Sequence, residues 1–165
     1  MSEKGRLIEK ARKLGREYMQ VYRGCAQTTL LAVADTLDMD VSDDLFKVMI
    51  GLTGRTGGCG GICGATAAIG LRYGIGREDF IGDPEAGELA TVKVSWTMKV
   101  VRDRLAEKYG GYLCCDIQRT LFGRSYDFID PEMREAFRKE PVYEECPQVT
   151  EDAAGWTVEA ILDME

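Results

Sequence analysis

Apolar residues recur at intervals of three and four along nearly all of this 165-residue chain, beginning with Leu7, Ala11, Leu14, Tyr18 and Val21. That period lays one apolar stripe along an α-helix, whereas a half-buried strand needs apolar residues at every second position. Val92-Lys93-Val94-Ser95-Trp96 does alternate, but it lies inside a helical pattern of about 25 residues, and length decides for helix.

Helix-breaking and capping residues divide the pattern. A first helix is predicted over about residues 4–22, ended by Gly24, and Cys25 opens a second through Leu30, Ala34 and Leu37. Ser42 ahead of Asp43 and Asp44 caps a third that stops near Gly51. Cys63 begins a short helix of small residues, Ala65, Ala67, Ala68 and Gly70, whose lack of bulk implies close packing. Asp83 and Pro84 supply a cap and a first-turn proline for the longest helix, which runs to about Tyr109. It carries two apolar stripes, Leu89, Val92, Trp96, Val100 and Val94, Met98, Val101, Leu105, which predict burial on most sides and a central place in the fold. After Gly110 and Gly111, Cys114 and Cys115 start a helix through Leu121 that Gly123 stops, and Asp130-Pro131 caps another bearing Met133 and Phe137. Pro141 breaks that one, and Cys146-Pro147 opens the last, with Val149, Ala153, Trp156 and Ala160 on one face. The fold class is therefore all-α, a single-domain bundle of about six to eight helices over residues 1–165, with a Gly-rich loop before the Cys-Gly-Ala helix. A chain of this length buries roughly two thirds of the surface its unfolded form exposes, so it does not need disulfides to fold.

The balance of 21 basic against 28 acidic residues gives a net charge of −7, which disfavours contact with nucleic acid or an anionic membrane. No apolar signal core follows Met1 and no stretch approaches 18 apolar residues, so neither membrane insertion nor export is expected and the protein is read as cytoplasmic. Thiols stay reduced there, and six cysteines then point to a metal centre, a catalytic dithiol or apolar packing. Tyr18, Tyr22, Trp96 and Trp156 fall on apolar stripes and serve as bulk. The acidic pairs Asp43-Asp44 and Glu144-Glu145 stand at or before helix starts, where favourable interaction with the helix dipole accounts for them.

The cysteines are Cys25, Cys59, Cys63, Cys114, Cys115 and Cys146, each at or just before an expected helix start, and the chain has no histidine. Unpaired N–H groups and the positive end of the dipole make a helix start a place where a thiol loses its proton more easily. Without imidazole a Cys-His nucleophile pair cannot form, and c-type haem attachment through Cys-x-x-Cys-His is excluded. The segment from Gly51 to Gly64 holds seven glycines, but it lacks a Gly-Lys-Ser/Thr ending and a preceding β run, so no nucleotide is expected. Its backbone amides would instead point at a sulfur or a cluster. Four sulfur ligands suit zinc or an iron–sulfur cluster. Zinc sites usually draw ligands from paired knuckles, and only Cys59-x-x-x-Cys63 has that spacing, so the remaining sulfurs suggest a site closed by the whole fold. Of the neighbours Cys114 and Cys115, one is expected to be the active sulfur and the other a packing or auxiliary thiol.

These residues resemble the C_GCAxxG_C_C family of redox-active proteins over most of the chain. Gly24-Cys25-Ala26-Gln27 resembles the surroundings of the family's first cysteine, and the glycine loop into Cys63-Gly64-Ala65 resembles its Cys-Gly-Ala-x-x-Gly element. Cys114, in Leu113-Cys114-Cys115-Asp116, resembles the third cysteine, and Cys146-Pro147 the fourth. Ala68 stands where the element has its second glycine, and Cys59 and Cys115 are additional to the four-cysteine pattern. The resemblance implies a helical redox domain of anaerobic bacteria and archaea, akin to the iron–sulfur part of split-Soret cytochrome c. The haem part has no counterpart without histidine.

Three functions follow as expectations. The first is a redox protein that uses Cys25, Cys63, Cys114 and Cys146 to bind an iron–sulfur cluster or other metal for electron transfer, with Cys59 and Cys115 as auxiliary ligands. The second is a metal-free thiol/disulfide oxidoreductase in which Cys63 attacks and Cys59 or Cys25 resolves. The third is a noncatalytic helical interaction module whose cysteines pack. Whether the chain is an enzyme stays open among them, as does the redox partner, and a homodimer is compatible with all three.

Overall fold

The computed structural model describes residues 1–52 and 57–165. The described residues form α-helices and no strand, so the all-α reading holds. In chain order the helices are α1 (Glu3–Tyr22), α2 (Cys25–Thr36), α3 (Asp43–Ile50), α4 (Gly60–Tyr73), α5 (Arg77–Gly82), α6 (Pro84–Tyr109), α7 (Cys114–Phe122), α8 (Pro131–Arg138) and α9 (Val142–Asp163). The expected caps form: Ser42 Oγ accepts from Leu45 N–H at 3.2 Å, Asp83 Oδ1 from Ala86 N–H at 3.0 Å, and Asp130 Oδ1 from Glu132 N–H at 2.8 Å. Gly110 and Gly123 end α6 and α7 with positive φ, a conformation that costs glycine nothing. The short α5 is a helix the sequence reading did not name.

Helix α9 is the hub, packing against α1, α2, α4 and α6, with Val149, Ala153, Val158 and Ile161 buried. The prediction that α6 is central is corrected here. Its second stripe, including Val101 and Leu105, enters the core, but Leu89, Val92, Trp96 and Val100 face solvent. Two apolar stripes are buried together only if partners meet both, and the larger helices in contact with α6 are α4 and α9.

Two further boundaries differ from the sequence reading. Helix α9 starts at Val142, five residues before its proline, so Cys146 is not at its start. Pro147 has no N–H for the Tyr143 carbonyl one turn back, and that carbonyl instead accepts from Gln20 Nε2 on α1 at 2.9 Å. Helix α4 starts at Gly60, so Cys63 lies inside it and the predicted loop through Gly64 ends at Cys59, which occupies the N-cap. Residues 53–56 of that loop lie outside the described residues. Gly60 and Gly64 are contact points within the helix: a Cβ on Gly60 would stand 2.5 Å from Cys25 Cβ, and one on Gly64 would stand 2.4 Å from the Ala26 carbonyl oxygen. The missing side chains let α4 lie directly on the first turns of α2.

Candidate functional site

Two backbone hydrogen bonds join the start of α4 to the start of α7. Cys59 N–H donates to Tyr112 O at 3.2 Å and Cys114 N–H donates to Gly57 O at 2.9 Å, forming an isolated antiparallel bridge between Gly58 and Leu113. Cys59 and Cys114, far apart in sequence, are thereby placed together. Cys25 is the first residue of α2, and the close docking of Gly60 brings it to the same end of the bundle. Cys146, in the second turn of α9, closes the group.

Cys25, Cys59, Cys114 and Cys146 line one cavity of about 250 Å³. Its outer wall is aromatic, with Phe137 of α8 against Phe122 at 5.8 Å and Phe128 at 4.7 Å between ring centroids. Arg23, Arg134 and Arg138 also line it, Arg138 in an ion pair with Glu135 at 3.4 Å, and among the described residues no aspartate or glutamate does.

The other two cysteines lie outside the lining of this cavity but close enough to Cys114 to raise its thiol. Cys63 does not line this cavity; it lies one helical turn beyond Cys59, beside Gly58, where a Cβ would stand 3.0 Å from its sulfur. Cys115 lines an adjoining recess with Gly57, Leu113 and Ile129, and its thiol donates to Asp116 Oδ1 at 3.7 Å.

Burial is the largest influence on Cys25, Cys59, Cys63, Cys114 and Cys146. It pushes Cys59 up to about 12, reinforced by Cys114, although the Gly61 and Ile62 amides pull the other way. Cys146 is likewise raised to about 12 by burial and then by Cys114. Burial raises Cys114 to about 11, against the lowering effect of the Gln118 amide, and pushes Cys25 well above its ordinary value, with Cys146, Cys59 and Cys114 adding to it. Cys25, Cys114 and Cys146 keep some accessible surface, as lining a cavity requires, yet protein and neighbouring sulfurs penalise their charged forms. Cys63 is raised by burial too, the reverse of the activation expected of a thiol at a helix start.

A family profile described as "Putative redox-active protein (C_GCAxxG_C_C)" matches residues 23–160. The chain belongs to this family. A protein of Archaeoglobus fulgidus, named only as an uncharacterized protein, is 35% identical over 57 residues, covering 34% of this chain and 38% of the relative. No solved structure matches.

Of the four cysteines that carry the family resemblance, Cys25, Cys114 and Cys146 line the cavity and Cys63 does not, while Cys59 does. Sequence reasoning also missed Gln118. Its Oε1 accepts from Tyr126 N–H at 2.7 Å, which turns the amide nitrogen toward Cys114 Sγ at 3.3 Å. The signal was present, because residues four apart on a helix share a face.

Among the described residues, no three cysteine, aspartate or glutamate side chains already stand close enough to hold a metal ion. None of the described helices is long and apolar enough to cross a membrane.

Proposed function

We propose that this member of the redox-active family binds an iron–sulfur cluster through Cys25, Cys59, Cys114 and Cys146 and uses it for electron transfer. The observation that carries the reading is the convergence of four sulfurs, from four separate segments, on one cavity lined by no carboxylate. Such a cluster, when bound, supplies a one-electron couple whose potential follows its charge, burial and hydrogen bonds. The protein's part is to surround it. Four thiolates are unfavourable together in so buried a site, and coordination to cationic metal is what would make them stable. Arg23, Arg134 and Arg138 offset the negative charge that thiolate ligands leave, and Gln118 donates toward one of the sulfurs. The aromatic wall limits access of water.

Thiol exchange is less well supported, because every cysteine whose acidity is shifted is shifted toward the unreactive thiol. Purification without oxygen, followed by a visible spectrum and assays of iron, zinc and acid-labile sulfide, tests the proposal. Stoichiometric iron and sulfide are expected in the wild type and in Cys63→Ser and Cys115→Ser. Each of Cys25→Ser, Cys59→Ser, Cys114→Ser and Cys146→Ser should lose most of both. Iron that stays with Cys59→Ser but leaves with Cys63→Ser would overturn the ligand set, and a wild type that takes up no cluster even on reconstitution with iron and sulfide would overturn the function.

A further inference from the structure

One wall of the cysteine cavity is built differently from the rest. The other walls come from α1, α2, α4 and α9, which pack on one another directly, and from α7, which the pairing of Gly58 with Leu113 ties to the start of α4. The remaining wall is Phe128, Arg134, Phe137 and Arg138, all from the segment 124–140 that crosses between α7 and α9. Helix α8 within it has no buried residue and no extensive backbone packing on any other helix.

Among the described residues, the hydrogen bonds of this segment are nearly all internal. Asp130 caps α8, Ile129 N–H donates to Asp127 Oδ1 at 2.8 Å, and Tyr126 OH donates to Glu140. Before the chain joins α9, only Tyr126 N–H ties the segment's backbone to the bundle, through Gln118 Oε1 at 2.7 Å. Aromatic contacts repeat the pattern. Phe137 meets Tyr126 at 5.4 Å and Phe128 at 4.7 Å inside the segment, and reaches outward to Phe122 of α7 at 5.8 Å. Gly123, at φ 74°, stands at one end with nothing near it, and Pro141, just ahead of α9, stands at the other.

We infer that residues 124–140 form a lid over the cavity, which opens between Gly123 and Pro141 to expose Cys25, Cys114 and Cys146 while the rest of the bundle stays folded. Sulfurs inside a closed cavity need a path by which a ligand can enter, and the wall with the weakest attachment supplies it. Local opening draws on segments with few buried apolar contacts and exposed backbone hydrogen bonds. An isolated helix as short as α8 has little stability of its own. Phe137 is the latch, because its ring both lines the cavity and makes the contact with Phe122.

Two measurements on the reduced, metal-free full chain test the inference. Hydrogen exchange read by mass spectrometry should show the hydrogen-bonded amides of α8 exchanging at least about a hundredfold faster than those of α2 and α9. Alkylation by iodoacetamide, followed site by site, should be at least about tenfold faster at Cys25, Cys114 and Cys146 in Phe137→Ala than in the wild type. Cys63, which lines neither the cavity nor the recess beside it, should keep its rate. Amides of α8 as well protected as those of α9 would overturn the lid, as would unchanged alkylation of the cavity cysteines in the variant. Equal acceleration at Cys63 would overturn it too, by showing a general loosening of the bundle. Both readouts are independent of whether the cavity holds a cluster.

Discussion

Gln118 donates from Nε2 to Cys114 Sγ across 3.3 Å, and it cannot turn its amide over without losing the 2.7 Å bond from Tyr126 N–H to its oxygen. The side chain is buried, so the donor is held in place and aimed at a sulfur that would carry negative charge as a ligand. A hydrogen bond to a ligand sulfur favours the more negative, reduced state of a cluster. Gln118→Leu should therefore move the midpoint potential of the reconstituted protein to a more negative value, on the order of tens of millivolts. Losing the partner of Tyr126 N–H should also cost about 1–3 kcal/mol. Potentiometric titration checks the first effect and denaturant unfolding the second; an unmoved potential would remove Gln118 from the electronic environment of the site.

The raised thiols set an alkaline limit for the reduced, metal-free protein. An ordinary cysteine ionises near about 8.5. In the fold Cys114 waits until about 11, and Cys59 and Cys146 until about 12. Between those values the unfolded chain binds fewer protons than the native one, so stability falls as pH rises. Below about pH 8.5 both states are protonated and the effect vanishes. The melting temperature should decline from about pH 8.5 upward, and less steeply in Cys59→Ala and Cys146→Ala than in the wild type.

Opposite outcomes are expected at two glycines of α4. Gly64→Ala would put a methyl group 2.4 Å from the Ala26 carbonyl oxygen and 2.7 Å from Thr29 Cβ, so α4 and α2 must separate. The cost should be about 1–3 kcal/mol, and cluster binding should weaken as Cys59 moves away from Cys25. At Gly70 nothing lies within 4 Å of the added methyl, and Gly70→Ala should stabilise by up to about 1 kcal/mol through helix propensity. Thermal unfolding of both variants separates close approach from mere helix flexibility.

Asp152 of α9 is buried and gathers Arg12 Nη1 at 2.8 Å, Lys108 Nζ at 2.5 Å and Tyr109 OH at 2.6 Å, tying α1 and α6 to the hub. Burial pushes its pKa up, but Lys108, Tyr109 and Arg12 outweigh that and hold the carboxyl below its ordinary range. A group depressed in the fold stabilises above its unfolded value and loses that contribution as pH falls below about 4. Asp152→Asn should cost about 3 kcal/mol near neutrality and flatten the acid limb of the stability curve. An acid limb as steep as that of the wild type would place the relevant carboxylate elsewhere.

Much of the fold was legible because its determinants are local. Ser42, Asp83 and Asp130 cap helices through side chains two or three residues from the N–H groups they satisfy, and Gly110 and Gly123 end helices through their own backbone freedom. The start of α9 was not legible, because Pro147 is tolerated in the second turn through Gln20, a residue on α1. The exposed half of α6 escaped for a related reason: an apolar stripe looks the same in sequence whether or not a neighbour covers it.

Helical periodicity, sulfur donors, the lack of imidazole and the family's cysteine pattern are all written in the order of residues. Which sulfurs line one cavity depends on how the helices pack. Cys59 and Cys63 are one turn apart on the same segment, and composition and helical spacing do not separate them. Two long-range contacts bring Cys59 to the cavity: the docking of Gly60 and Gly64 on α2, and the pairing of Gly58 with Leu113. Both depend on close approach between segments distant in the chain, and the glycines permit that approach without naming the surface it will meet.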